Sequence, residues 1–213
     1  MFNNDNPHTN GELNFIKGFA DNLTIFDVGS RDDSWFTSYK GEVHYFEPVT
    51  SFIEELKKRP NDNSKSIFNN FGLSDKEETI KYYSQFQSFV NRNGTPTDEL
   101  LVKTGKDYIE QNDIKKIDFL KIDVEGFEFN VLKGFEGHFD KFGLIQFEYG
   151  GTYRDSGVKL NDVFEFLKSQ GFIYFFYMIP DGLVSIGTES PVEDHYAYCN
   201  IISSKFLMPL VSN

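Results

Sequence analysis

Short apolar runs, each ending in a carboxylate or a glycine, set the pattern of this chain. Leu23-Thr24-Ile25-Phe26 leads into Asp27-Val28-Gly29, and Val43-His44-Tyr45-Phe46 leads into Glu47-Pro48. Ile117 to Ile122 leads into Asp123-Val124-Glu125-Gly126, and Leu144-Ile145-Gln146-Phe147 into Glu148-Tyr149-Gly150-Gly151. Runs of this length without clean alternation predict strands buried on both faces. Between them the period lengthens. Phe52, Ile53 and Leu56 form a stripe over 51–59 that Pro60 stops, and Phe129, Leu132 and Phe135 recur by three over 125–139. Val163, Phe164 and Leu167 mark a third helical pattern over 160–170, closed by Gly171. Strands alternating with helices predict βαβ units and a mostly parallel sheet. Further on, 172–179 and 196–203 are strand-like runs joined by a loop containing Pro and Gly, which predicts an antiparallel hairpin at or near one sheet edge. Gln85 to Gly105 is polar, contains Gly94 and Pro96, and reads as a long functional loop.

The length of 213 residues fits one domain, and the 24 Phe and 11 Tyr supply a core too large for a disordered chain. A formal net charge of −12 argues against nucleic acid and anionic membrane as partners, since both need clustered Lys and Arg. Cys199 is the single cysteine, so neither an internal disulfide nor a Cys-based zinc site is expected. Residues 1–14 are polar and lack the basic and apolar regions of a signal peptide, and no run approaches a membrane span. The expectation is a cytoplasmic globular protein.

In an open parallel sheet, ligands bind outside the carboxyl ends of the strands. Four strands here end in Asp27, Glu47, Asp123 and Glu148. Glu47, at the end of the second strand, is the group expected to accept hydrogen bonds from a ribose diol. No G-x-G-x-x-G cradle for a pyrophosphate follows Gly29; the chain reads Ser30-Arg31-Asp32-Asp33 instead. That pattern disfavours a dehydrogenase and suits an adenosine cofactor without phosphate, S-adenosylmethionine, whose sulfonium and amino cations match an acidic pocket.

Phe119 to Glu128, followed by Val131-Leu132-Lys133-Gly134, resembles the signature of the FkbM-type methyltransferases, roughly D-F-L-K-I-D-V-E-G-x-E and then V-L-x-G. Phe26 to Gly29, Phe46-Glu47-Pro48, Asn70 to Asp75 and Gln146-Phe147-Glu148 resemble flanking motifs of that family, in order over about 22–150. The resemblance implies an α/β class I methyltransferase, Rossmann-like, with a seven-stranded mostly parallel sheet of order 3-2-1-4-5-7-6 and a C-terminal antiparallel hairpin. It divides the single domain into an N-terminal extension (1–21), a cofactor-binding core (22–150) and acceptor-side elements (151–213). It implies S-adenosylmethionine as cofactor and a hydroxyl of a sugar, glycolipid or polyketide as acceptor. Carried over position by position, Asp27, Gly29 and Ser30 line the methionine end, Glu47 holds the ribose, and Leu73 with Ser74 borders adenine. Asp123, Glu125 and Glu148 lie at the reaction centre. The family loop D-V-G-A-N-x-G is altered after Gly29, which leaves the methionine contacts least defined and admits a catalytically degenerate binding module as the alternative.

Methyl transfer to oxygen needs alignment and a base for the hydroxyl proton. The clustered carboxylates Asp123, Glu125 and Glu148 are preferred to His195, because neighbouring acids raise one another's pKa. An acidic trio can also bind Mg²⁺, but no metal is assigned. Tyr149, Tyr153 and Arg154, within or beside the 150–159 segment, are the expected acceptor wall, with His195 nearby; His138 is read as a helix-end cap. Lys121, on the same strand face as Phe119 and Asp123, is expensive to bury unpaired. Its ammonium is expected within ~4 Å of Asp27, Glu148 or another acid of the cluster.

Overall fold

In the computed structural model, residues 2–84, 88 and 94–210 are described. The main sheet is built from β1 (Thr24–Val28), β2 (Glu42–Phe46), β3 (Lys65–Asn69), β7 (Ile117–Ile122), β8 (Phe142–Tyr149), β9 (Tyr174–Ile179), β10 (Gly182–Ser185) and β11 (Cys199–Ser204). A second sheet holds β4 (Gly72–Ser74), β5 (Glu78–Tyr82) and β6 (Asp98–Thr104). The helices are α1 (Glu12–Lys17), α2 (Thr50–Lys58), α3 (Gly105–Gln111), α4 (Glu128–Lys133), α5 (Gly151–Ser156) and α6 (Leu160–Ser169).

The main sheet runs β10-β9-β11-β8-β7-β1-β2-β3. β3, β2, β1, β7 and β8 are mutually parallel, while β11 is antiparallel to both β8 and β9. The four apolar runs that end in carboxylates are thus adjacent central strands, buried on both faces because each face carries its own core. On one side Phe26, Leu120, Ile122 and Phe147 pack with Tyr108 of α3, Leu132 of α4 and Phe164 of α6. On the other, Ile25, Phe119 and Val43 pack with Phe36, Tyr39 and the α2 residues Ile53 and Leu56, with Phe15 of α1 against them.

Four expectations change. The sheet has eight strands, and its order and numbering differ from the seven-stranded 3-2-1-4-5-7-6, because β4–β6 fold into a separate sheet and β10 adds an edge. The two C-terminal runs do pair antiparallel, but the tight hairpin is β9–β10, and β11 lies between β8 and β9. Helix 125–139 contracts to α4, because Glu125 and Gly126 take positive φ (55° and 105°), a left-handed conformation outside the helical range. The polar 85–105 stretch is partly strand: β6 occupies its second half, while 85–87 and 89–93 lie outside the described residues.

Candidate active site

The carboxyl ends of β1, β2, β7 and β8 open on one side into three adjoining clefts that share Arg31 and Asp123. Between β1 and β7 the backbones nearly touch. At Gly29 (φ +82°) a Cβ would lie 1.8 Å from the Asp123 carbonyl oxygen, so only glycine fits the crossing. The chain that leaves β1 here forms no α-helix before β2, only a 3-10 turn at Trp35–Ser38.

The slot beside β2 is walled by Glu47, Pro48, Phe52, Tyr82, Val124 and Glu125. Glu47 is 4% exposed; its Oε2 accepts from the Arg31 N–H (3.0 Å) and its Oε1 from the Val49 N–H (2.7 Å). Burial pushes its carboxyl up to about 7 against those hydrogen bonds. The slot holds about 60 Å³, far below the ~300–1,000 Å³ of an open ligand pocket. Arg31, exposed, also lines it, with its guanidinium 5.5 Å from the Phe52 ring centre.

The second cleft, about 320 Å³, lies over β1 and β7. Asp27 (1% exposed) accepts a hydrogen bond from Ser34 Oγ on Oδ2, while its Oδ1 and the buried Ser30 Oγ have no partner among the described residues. Burial raises the Asp27 carboxyl to about 6, with Lys121 opposing. Two orphaned polar atoms at the bottom of a cleft are the mark of a polar ligand site. Lys121 stands beside them. Its ammonium is 3.0 Å from Asp123 Oδ2 and 3.9 Å from Glu12 Oε1, which meets the expectation of a nearby acid at Asp123 rather than at Asp27 or Glu148. Burial works against its charge, yet Asp123, Glu12 and Asp27 together raise its pKa well above the ordinary lysine value.

The third cleft is the widest and is lined by Asp123, Glu125, Glu148, Gly150, Thr152, Arg154 and Tyr198. Asp123 and Glu148 are neighbouring carboxyls whose ionisations oppose each other. Burial and the adjacent Asp123 hold Glu148 well above the carboxylate range. Burial acts upward on Asp123 too, but Lys121 and the hydrogen bond from Glu148 outweigh it, so Asp123 is the ionised partner. The side chain of Asp123 is 34% exposed toward the cleft. Glu125, half-buried in its left-handed conformation, lines both this cleft and the slot. Its carbonyl accepts from Ser88 Oγ (2.8 Å).

Asp27, Gly29, Ser30, Glu47, Lys121, Asp123, Glu125 and Glu148 therefore converge. Other expected site residues are placed elsewhere. Leu73 and Ser74 are buried on β4, with Ser74 Oγ turned to Asp75, and neither lines a cleft; Phe52, Tyr82 and Val124 take the walls of the slot. Tyr149 and Tyr153 are core residues (0% and 1% exposed); the Tyr149 hydroxyl is held between Asp194 and the Tyr196 N–H. The exposed Arg154, above the Tyr196 ring at 4.6 Å, faces the cleft instead. His195 packs on Phe2 at 4.4 Å, and its Nδ1 accepts from the Ala197 N–H. His138 makes no side-chain cap and meets Glu110 at 3.0 Å. Two residues escape sequence reasoning. Glu128 (1% exposed) binds the Val124 and Gly126 N–H groups and so closes the loop carrying Asp123 and Glu125. Glu12 enters from α1, and a first-turn glutamate gives no signal beyond the helix dipole.

Among the described residues, no group of three His, Cys, Asp or Glu side chains is placed to hold a metal ion, and no helix is long and apolar enough to cross a membrane. A family model described as the methyltransferase FkbM domain matches residues 27–174. The chain is similar to the crystal structure of methyltransferase FkbM from Methylobacillus flagellatus KT, with 17% identity and a TM-score of 0.54. That match covers 86% of this chain and 44% of the other, so this chain spans less than half the length of that relative. It is also similar to TrmK of M. capricolum in complex with S-adenosyl-homocysteine, with 12% identity, a TM-score of 0.47, and coverage of 91% and 67%. No curated protein matches the sequence.

Proposed function

Because the chain belongs to the FkbM methyltransferase family, we propose that it is an S-adenosylmethionine-dependent O-methyltransferase acting on a hydroxyl of a small molecule or glycan, a sugar above all. The observation that carries this reading is the pair of buried atoms without a partner among the described residues, Asp27 Oδ1 and Ser30 Oγ, in a cleft that Asp123 also lines. These residues fit the cofactor. Asp27 and Ser30 would hold its methionine end and Glu47 its ribose hydroxyls, with Phe52, Tyr82 and Val124 as the apolar walls of the base.

When bound, the cofactor supplies an electrophilic methyl group. The chain's own residues do the rest. Asp123, kept ionised by Lys121 and open to the acceptor cleft, takes the hydroxyl proton as the oxygen attacks. Glu148, held protonated by burial and by the adjacent Asp123, leaves Asp123 as the ionised partner. Thr152 and Arg154 border the acceptor, and in-line alignment supplies the remaining rate. With acids on three sides of the cleft, a neutral or cationic acceptor is favoured over a polyanion.

Isothermal titration of the purified chain with S-adenosylhomocysteine and with NAD tests the cofactor. Binding of the first and not the second is expected, and Glu47→Ala should weaken it by ~1–3 kcal/mol. NAD binding without a response to S-adenosylhomocysteine would sink the proposal. Failure to bind either would favour a degenerate binding module, a reading that the narrow slot and the altered loop at Arg31 support. Side-by-side methylation of sugars and of RNA tests the acceptor; robust RNA methylation would overturn the sugar assignment.

A further inference from the structure

The segment before α1 and the first residue of α1 lie outside residues 27–174, the region matched to the family, yet they wall the cleft over Asp27 and Lys121 with Asp5, Pro7 and Glu12. The segment is fastened at both ends. Phe2 stacks on His195, and Asn3 exchanges hydrogen bonds with Tyr198, through its N–H (2.8 Å) and its Oδ1 (3.0 Å). At the other end, Asn10 Oδ1 accepts from the Glu12 N–H (2.9 Å) and fixes the start of α1. Between these ties the chain turns at residues 7–9, and Asp5 and Pro7 stand at the wall of the cleft.

Glu12 is the unusual part. Its side chain is 7% exposed, its Oε1 accepts from Gln146 Nε2 at 2.9 Å, and the same oxygen stands 3.9 Å from the Lys121 ammonium. Asp27, Lys121 and Gln146 are register partners on β1, β7 and β8, so Glu12 lies over a polar row on one sheet face. Gln146 is held in turn by Asn200 Oδ1 (3.0 Å). A first-turn glutamate serves a helix dipole equally well at the surface. Burying one is costly unless it is paired. The placement therefore answers to Lys121, not to α1.

We propose that Glu12 is a positioning residue, supplied from outside the family region, that holds the Lys121 ammonium between itself and Asp123 and so sets the charge balance of the Asp123–Glu148 pair. The inference rests on the reading of Asp123 as base. The charged groups around Lys121 are Asp27 from β1, Asp123 from the loop after β7, and Glu12 from α1, with Glu148 of β8 bonded to Asp123 and Arg31 across the cleft. In Glu12→Gln the hydrogen bond from Gln146 can persist, but one negative charge is gone. Lys121 is then less compensated and draws more strongly on Asp123. Both effects lower the proton affinity of the pair.

The test is a carboxyl ¹³C titration of unliganded wild-type and Glu12→Gln protein, read at Asp123 and Glu148. The upper titration step of the pair should move to lower pH by about half a unit or more. In the enzyme, the acid limb of the kcat/KM profile should move the same way and kcat should fall roughly tenfold, with S-adenosylhomocysteine affinity changed less than about threefold. A merely structural Glu12 would lower Tm and leave the limb in place. Glu12→Asp, which keeps the charge, should return most of kcat and leave the upper step near its wild-type position; if Glu12→Gln does not fold, the smaller neutral variant Glu12→Asn carries the test. An unmoved upper step in whichever neutral variant folds overturns the proposal. The ¹³C shift needs no cofactor, so it stands or falls separately from the failure of wild-type protein to bind S-adenosylhomocysteine.

Discussion

Glu128 commits both carboxylate oxygens to the loop in front of it, to the N–H groups of Val124 and Gly126. That loop carries Asp123 and Glu125, so a residue that touches no cleft determines where two clefted carboxylates point. Burial raises the Glu128 carboxyl to about 7. Glu128→Ala leaves two loop N–H groups without their partner and opens a small void, a loss of about 2–4 kcal/mol. A fall in Tm of roughly 5–10 °C is expected for a chain of this size. Thermal unfolding followed by circular dichroism checks it, and an unchanged Tm would show that the loop holds itself. The sequence displays Glu128 inside the motif, but its role depends on a backbone turn, Glu125 and Gly126 at positive φ, that no periodicity announces. Asp27, Glu47, Asp123 and Glu148 were legible because each terminates an apolar run. Glu12 was not, because its partners Lys121 and Gln146 lie more than a hundred residues away.

At the scale of elements, β1 and the start of the loop after β7 work as a single unit joined by backbone contact at Gly29. The Asp123 N–H donates to the Val28 carbonyl (2.9 Å), and the Gly29 N–H donates to Phe46 (2.9 Å), so three strand ends are tied within two residues. Gly29→Ala combines a positive φ with a Cβ that overlaps the Asp123 carbonyl, and the loops must part to admit it. Loss of S-adenosylhomocysteine binding by at least about tenfold, with a clear drop in stability, is expected by calorimetry and denaturant titration. Retained affinity would show that the crossing is not part of the site. The central strands and α2 and α6 follow their sequence patterns closely. β4–β6 do not, because β5 (Glu78–Tyr82) alternates exposed polar with partly buried residues and β6 starts in a polar run. A strand with one wet face looks like loop when its neighbours are polar. β10 is only four residues long and follows a turn at Asp181, which hides it.

For the whole molecule, the net charge of −12 includes several acids buried at the carboxyl ends of the central strands and the loop after β7. Asp27, Glu47 and Glu128 have folded pKa values of about 6, 7 and 7, above their ordinary values, and Glu148 is raised as well. Through these four carboxyls, which outnumber the oppositely acting His44 and His195 with their lowered pKa values, the folded state binds more protons than the unfolded chain between about pH 4 and pH 7, and stability falls as pH rises through that window. Asp123, Glu42 and Asp75, whose pKa values are lowered, act in the opposite sense only at more acid pH. Denaturant unfolding of unliganded protein at pH 5.5 and pH 8 should show greater stability at the lower pH, with Glu128→Gln reducing the difference by up to about 2 kcal/mol. Equal stability at both pH values would mean that these carboxyls are better solvated than their burial implies.

The position of β11 carries a consequence for synthesis. The ribosome delivers this strand after every other strand of the sheet, yet it belongs between β8 and β9, with β10 beyond. Until residues 199–204 emerge from the exit tunnel, β8 presents a bare edge and β9 with β10 has nothing to join. The nascent chain thus has to keep a gap open one strand wide, with Phe147 and Phe176 waiting on either side. During that interval the growing polypeptide is most exposed to capture by another chain's edge, and a stall or premature stop ahead of Cys199 leaves a product whose natural fate is association rather than release as a finished fold.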